Sequence, residues 1–205
     1  MRLLTVGDSF TYGEELADRQ FAWPYLLGQQ LGWTVTNLGQ PASGNTRMVR
    51  TVIEEIDQHD VFIIAWSHWA RIEFADEHGT FDIWPGCNTA PYQITPHRTQ
   101  LIDYITRHHS DEYLFRQYEL NIVLLQNYLK SKGKKYIMLS AFGQNINPTI
   151  EIDQDYYLGW PDENMQTWTW EVGCEKAPRG HFLEHGHKVV ADKIYEYIRH
   201  LGWVS

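Results

Sequence analysis

Four short apolar runs punctuate the chain: Arg2–Val6, Trp33–Asn37, Asp60–Trp66 and Lys134–Ser140. Each is five to seven residues long and β-rich or continuously apolar. Strands with one wet face alternate apolar and polar residues; unbroken runs of this kind belong to strands buried on both faces of a parallel sheet. Segments with helical spacing lie between and after them. Glu14–Leu31 carries Leu16, Phe21, Leu26, Leu27 and Leu31, and Asn45–Gln58 carries Met48, Val49, Val52, Ile53 and Ile56. Glu112–Lys132 repeats Leu114, Tyr118, Ile122, Leu125 and Leu129 and stops near Gly133. The last such segment, Glu184–Leu201, ends at Gly202.

Strand and helix alternating at this rhythm predict an α/β fold, with a central parallel sheet of about five strands between two helical layers. Ligands in such sheets bind beyond the carboxyl ends of the strands. The residues to watch are therefore Gly7–Ser9, Leu38–Asn45, Ser67–Arg71 and Ala141–Asn145. Two connections break the rhythm, at about 69–110 and 142–180. They are aromatic, rich in Pro, Gly, Asn and Asp, and weakly periodic, and long connections of this kind often carry function. With no repeat or linker in the sequence, the chain reads as a single domain, 1–205, with two decorated connections.

Composition narrows the function. The 205 residues are 43% hydrophobic, ample for a core, and carry a formal charge of −9. Nucleic acids and anionic membranes need a basic face, so neither is an expected partner. Arg2–Val6 leaves no room for a signal peptide and no apolar run reaches membrane-spanning length, so a soluble cytoplasmic protein is expected. Cys87 and Cys174 read as two free thiols of a reducing compartment rather than as a disulfide.

Gly7-Asp8-Ser9-Phe10 follows the first strand directly. A tight turn at a strand's carboxyl end exposes a side chain and holds it rigid, and a helix starting there aims backbone N–H groups at the reacting centre. The same residues also suit a plain helix cap by Asp8 or Ser9. At the other end, Gly180-His181-Phe182-Leu183-Glu184-His185-Gly186-His187-Lys188-Val189-Val190-Ala191 precedes the final helix. The two motifs, in this order and at opposite ends, resemble the SGNH (GDSL-like) hydrolases. That family's nucleophile lies in Gly-Asp-Ser-(Leu or Phe) after the first strand, and its catalytic histidine in His-x-x-x-x-Gly-His-x-x-x-Ala before the last helix. The resemblance implies a flavodoxin-like α/β/α sandwich and a serine esterase needing no cofactor. Ser9 would be its nucleophile and His181 the base that takes the Ser9 proton and returns it to the leaving group.

Other family positions depart. The family's Asp, three residues before the histidine, is here Pro178, which has no carboxylate to orient the imidazole. A backbone carbonyl near Ala177 or Pro178, a carboxylate from Asp162, Glu171 or Glu175, or loss of activity each fits the sequence. The oxyanion donors implied are the Ser9 N–H, a glycine N–H in the loop Ala42–Gly44 (Gly44 or, in another register, Gly39), Asn45, which also suits an N-cap, and Ser67 in place of the family's Asn. Trp66-Ser67-His68-Trp69-Ala70-Arg71-Ile72-Glu73 resembles the third block of divergent bacteriophage members, which allows a virion-associated protein; Arg71 and Glu73 also fit a plain salt bridge. His187 is expected to pack or hydrogen-bond locally and His185 to lie at the surface. Metal sites built from His181, His185 and His187, or from His108 and His109 with Asp103 or Asp111, lack recognisable ligand spacing.

Nine Trp and twelve Tyr are a heavy aromatic load. Trp69, Trp84, Trp160, Trp168 and Trp170 fall in or beside the irregular connections, where most are expected to pack the core. Flat apolar faces with polar edges also suit sugar rings. The substrate expected is a small-molecule or carbohydrate ester, such as an O-acetyl group. The competing expectation is a catalytically impaired binding or structural protein on the same fold.

Overall fold

The structure is a computed structural model and describes residues 1–77, 79–85, 87, 96–144 and 148–204. Asn145, the last of the loop positions singled out after the fourth apolar run, lies outside the described residues.

The four apolar runs form the strands expected of them: β1 (Arg2–Val6), β2 (Thr34–Asn37), β3 (Val61–Trp66) and the later Lys135–Ser140. A hairpin, β4 (Ile72–Asp76) and β5 (Gly79–Ile83), intervenes, so Lys135–Ser140 is β6; the two-residue β7 (Tyr157–Leu158) completes the main sheet. The main sheet is parallel with order β2-β1-β3-β6-β7. All six residues of β3 are buried, which is why that run carries no alternation. Side chains the size of its Val61, Phe62, Ile63 and Ile64 each contribute about 1.5–3 kcal/mol by leaving water, before the entropy of ordering is set against it.

Helices α1 (Ser9–Tyr12), α2 (Trp23–Leu31), α3 (Asn45–Glu54), α4 (Pro96–His108), α5 (Asp111–Ser131), α6 (Met165–Glu171) and α7 (Glu184–His200), with 3-10 turns at Arg19–Phe21 and Gln154–Tyr156, complete the described elements. Leu3, Ile63 and Ile137 face one layer, formed with Trp23 and Leu27 of α2, Trp168 of α6 and Val190 and Ile194 of α7. Their neighbours Leu4, Ile64 and Met138 face the other, formed with Met48 and Val52 of α3 and Ile122 and Leu125 of α5. This is the alternation that a two-faced parallel sheet requires.

The helix expected over Glu14–Leu31 is interrupted. Gly13 adopts a left-handed backbone (φ 83°) and closes α1, and Glu15 follows at φ 69°. Pro24, which a helix accepts only in its first turn, then starts α2. The two irregular connections hold more order than their weak periodicity implied. The first contains the hairpin and α4, and the second contains β7 and α6. Trp168 is fully buried and Trp170 is exposed. Trp69, Trp84 and Trp160 are half-buried and pack on hydrophobic clusters. Both cysteines are buried and unbridged. No helix among the described residues is long and apolar enough to cross a membrane.

The sheet order fixes where chemistry can occur. From β1 the chain moves outward to β2, then crosses back to β3 on the other side of β1. The loops after β1 and β3 therefore part from the sheet side by side, at its topological switch point.

Candidate active site

At that point stands Asp8, fully buried, one residue before Ser9. Asp8 caps α1: its Oδ1 accepts the Phe10 N–H at 3.1 Å. Its Oδ2 accepts the Ser67 hydroxyl at 2.7 Å and pairs with Arg71 at 3.2 Å, both from the loop after β3. Burial pushes the Asp8 carboxyl above its usual range, and Arg71, Ser67, the Phe10 N–H and His181 oppose that push. Gly7 makes the turn fit, since a Cβ there would stand 2.1 Å from Thr11 Oγ1. Ser9 begins the helix with 6% of its surface exposed. Its N–H, at the first helical position, has no acceptor in the preceding turn.

Phe10 links this turn to the chain's other end. Its ring stacks on Phe182 (4.8 Å between centroids) and meets Phe142 (5.1 Å) and His181 (5.2 Å) edge-on. The ring of His181 is thereby packed beside the residue that follows Ser9. No hydrogen bond joins Ser9 Oγ to His181; the His181 ring nitrogens face carboxylates instead. Nδ1 lies 2.6 Å from Glu15 Oε2, and Nε2 lies 3.7 Å from Glu14 Oε2. A carboxylate only accepts, so Nδ1 carries the proton of the shorter contact. Burial alone would raise the Glu15 carboxyl, but the His181 ring and the Arg179 N–H (3.1 Å) hold it below its usual range.

The carboxylate that meets the His181 ring is therefore Glu15, which was not among the residues the sequence suggested. Asp162, Glu171, Glu175 and Pro178 are exposed, and none hydrogen-bonds to His181. Glu15 lies 166 residues from the histidine, inside what reads as a helix, and no spacing motif marks it. The usable signal was the pair Glu14-Glu15 directly after the Gly13 that ends the Ser9 turn.

The expected oxyanion donors are largely engaged elsewhere. Gly44 N–H donates to Asp82 Oδ1 of β5 at 2.8 Å. Asn45 spans two backbone groups, its amide donating to the His68 carbonyl (3.0 Å) and its carbonyl accepting the Ser67 N–H (3.0 Å). The N-cap of α3 is Gly44 rather than Asn45. Ser67 spends its hydroxyl on Asp8. Gly39, the other register, donates to Asn37 Oδ1. Arg71 and Glu73 do not pair with each other: Arg71 holds Asp8, and Glu73 takes Arg50 at 2.6 Å. Arg71 lies in the loop before β4, beside Asp8, whereas Glu73 lies on the strand, beside Arg50 of α3. Gln144, within the Ala141–Asn145 stretch marked as one to watch but given no role there, is buried. It accepts the Trp69 N–H (3.2 Å) and donates to the Phe142 carbonyl (3.0 Å).

The other histidines are held apart. His187 Nδ1 accepts the Trp23 N–H at 3.2 Å, a long-range bond rather than a local one. Exposed His185 lies 3.7 Å from Cys174 Sγ. His109 Nδ1 bonds the Ile105 carbonyl, and the His108 ring packs on Tyr104. Among the described residues no three His, Cys, Asp or Glu side chains converge as a metal site would need.

The architecture has solved counterparts. A psychrotrophic esterase, EstA, from Pseudoalteromonas sp. superposes with TM-score 0.54 over 98% of this chain and 97% of its own, at 11% identity. A member of the lipolytic G-D-S-L family from Veillonella parvula gives 0.51 over 96% and 97%, at 14% identity. A mutant acetyl-xylooligosaccharide esterase from Geobacillus gives 0.53 over 96% and 93%, at 17% identity. Identities this low carry the fold and nothing finer. No curated protein matches the sequence. A family model described as a family of unknown function, DUF6071, matches residues 11–160, a span that includes neither Ser9 nor His181. The chain thus belongs to the DUF6071 family of unknown function, built on the fold of the SGNH hydrolases.

Proposed function

We propose that the chain is a serine esterase working through Ser9, His181 and Glu15. The observation that carries this reading is the 2.6 Å contact between His181 Nδ1 and Glu15 Oε2, on a ring packed beside the Ser9 turn. Glu15 fixes the tautomer that leaves Nε2 as the proton acceptor and stabilises the imidazolium formed during attack. Ser9 Oγ adds to the ester carbonyl as His181 takes its proton. The tetrahedral intermediate collapses, the alcohol leaves with that proton, and water repeats the sequence to release the acid. Catalytic hydrogen bonds in free enzymes are often long and tighten only around substrate, so the open Ser9–His181 gap is compatible with this role.

The substrate we infer is an O-acyl, chiefly O-acetyl, ester of a carbohydrate. Half-buried Trp84 lies over Arg71 (5.0 Å), which pairs with the Asp8 beside Ser9; Trp69 stands in the same loop against His68. The Geobacillus neighbour is an esterase of acetylated xylooligosaccharides. Incubation with p-nitrophenyl acetate, acetylated xylooligosaccharides and a fluorophosphonate probe tests the proposal. Wild type should turn over the esters and gain the probe's mass on Ser9, and Ser9→Ala should do neither. Equal behaviour of the two proteins ends it.

A second reading, a catalytically impaired binding or virion protein on the same fold, is favoured by one observation: Gly44, Asn45 and Ser67 all spend their donors within the protein. It expects no probe labelling at any pH.

A further inference from the structure

The hairpin β4–β5 is fastened directly onto the loop that precedes α3. Gly44 N–H donates to Asp82 Oδ1 (2.8 Å), Asn45 N–H to the Arg71 carbonyl (3.3 Å) and Glu73 N–H to Thr46 Oγ1 (3.1 Å). Arg50 clamps Glu73 from the same helix. A Cβ on Gly44 would stand 2.7 Å from Asp82 Oδ1 and 3.0 Å from the Ile72 carbonyl carbon, so only a glycine lets the hairpin come this close. The loop carries a second unusual residue, Ala42 at φ 63°, a conformation that L side chains adopt only at a cost. On its other side, Gln40, Pro41 and Ala42 line a cavity of about 230 Å³ together with Phe81, Asp82 and Ile83 of β5. The loop leans on the nucleophile turn as well, since Gln40 N–H donates to the Gly7 carbonyl at 3.0 Å.

We propose that Asp82 is an autoinhibitory latch: its carboxylate occupies the Gly44 N–H that an oxyanion would use, and the site becomes competent when Asp82 swings into the adjoining cavity. The proposal rests on the reading of Ser9 as nucleophile. A donor held by one carboxylate is not available to a developing oxyanion, and the carboxylate places a negative charge where another has to form. Among the described residues, each charged group facing Asp82 enters the balance. Glu73 of β4 opposes its ionisation, Arg47 of α3 and Arg71 of the β3–β4 loop favour it, and burial pushes the carboxyl up to about 6. On the cavity side Arg98 of α4 is paired with Asp76. The latch is therefore charged at neutral pH and loosens on mild acidification.

The test compares the rate at which a fluorophosphonate modifies Ser9 in wild type, Asp82→Ala and Asp82→Asn, read by intact mass. In that reaction Ser9 Oγ bonds to phosphorus, fluoride leaves and His181 takes the hydroxyl proton. Asp82→Ala should label at least about tenfold faster at neutral pH, given that one oxyanion donor is worth about 10²–10³ in rate. Asp82→Asn, which keeps an acceptor but no charge, should fall between. In ¹⁵N-labelled wild type the Gly44 amide shift should titrate with a midpoint near 6, and it should be flat in Asp82→Ala. Equal or slower labelling of the variants overturns the latch while leaving Ser9 as nucleophile; labelling of none of the three proteins removes both. A Gly44 resonance that does not titrate in wild type overturns the latch even where the variants fail to fold.

Discussion

His181 Nδ1 and Glu15 Oε2 stand 2.6 Å apart across 166 residues of sequence, and this contact brings to the histidine the carboxylate that Pro178 cannot supply. Glu15 reaches it from a left-handed backbone (φ 69°), directly after the turn that holds Ser9. On the proposed mechanism, nucleophile and orienting carboxylate come from neighbouring residues of one segment, and the base from the other end of the chain.

If Glu15 orients the ring, Glu15→Gln should lower kcat for p-nitrophenyl acetate by up to about 10⁴, the loss seen when such a carboxylate becomes an amide. KM should change little. A variant with wild-type kcat would remove Glu15 from the mechanism and leave at most a Ser9–His181 dyad.

Among the described residues, Arg71 is the cation bonded to the fully buried Asp8. Arg71→Ala should cost about 3 kcal/mol in chemical denaturation at pH 7, because it strands a buried charge. The deficit should narrow on acidification, since a protonated Asp8 needs no cation. A loss below about 0.5 kcal/mol at pH 7 would mean the pair contributes no more than a surface contact.

His187 is buried, and burial, aided by the charge of His181, lowers its ring to about 3. Its neutral Nδ1 must accept the Trp23 N–H. In the unfolded chain the ring titrates near 6.5. The unfolded state therefore binds the extra proton first, and stability present above about pH 6.5 is lost as pH falls toward 3, by a few kcal/mol in all. Stability measured against pH should be flatter over this window in His187→Gln than in wild type. Parallel curves would assign the acid sensitivity to other groups.

Gly7→Ala should destabilise the protein by about 2–3 kcal/mol, because the new Cβ would fall 2.1 Å from Thr11 Oγ1 and 2.7 Å from Thr11 Cβ. In a double-mutant cycle with Thr11→Gly, the coupling should relieve at least about 1 kcal/mol of that loss. Strict additivity would place the strain in the backbone rather than at Thr11.

The sequence by itself determined the sheet. Four runs became β1, β2, β3 and β6 to within a residue: β1, β3 and β6 announce themselves because strands buried on both faces have little use for polar residues, and the half-exposed edge strand β2 because its Thr-Val-Thr is β-branched. It also determined where the Ser9 turn and the His181 segment stand in the chain, since each abuts an element whose pattern is plain. The short β7, the β4–β5 hairpin and the broken start of α2 were not legible, being held by caps, glycine conformations and long-range contacts rather than by periodicity. Only the tertiary structure decided what each polar group does. Glu15 rather than Asp162, Glu171 or Glu175 meets His181, Asp8 rather than an oxyanion takes the Ser67 hydroxyl, and Asp82 holds Gly44. Hydrogen bonds between groups 38 to 166 residues apart depend on distance and direction in space, and linear spacing carries neither.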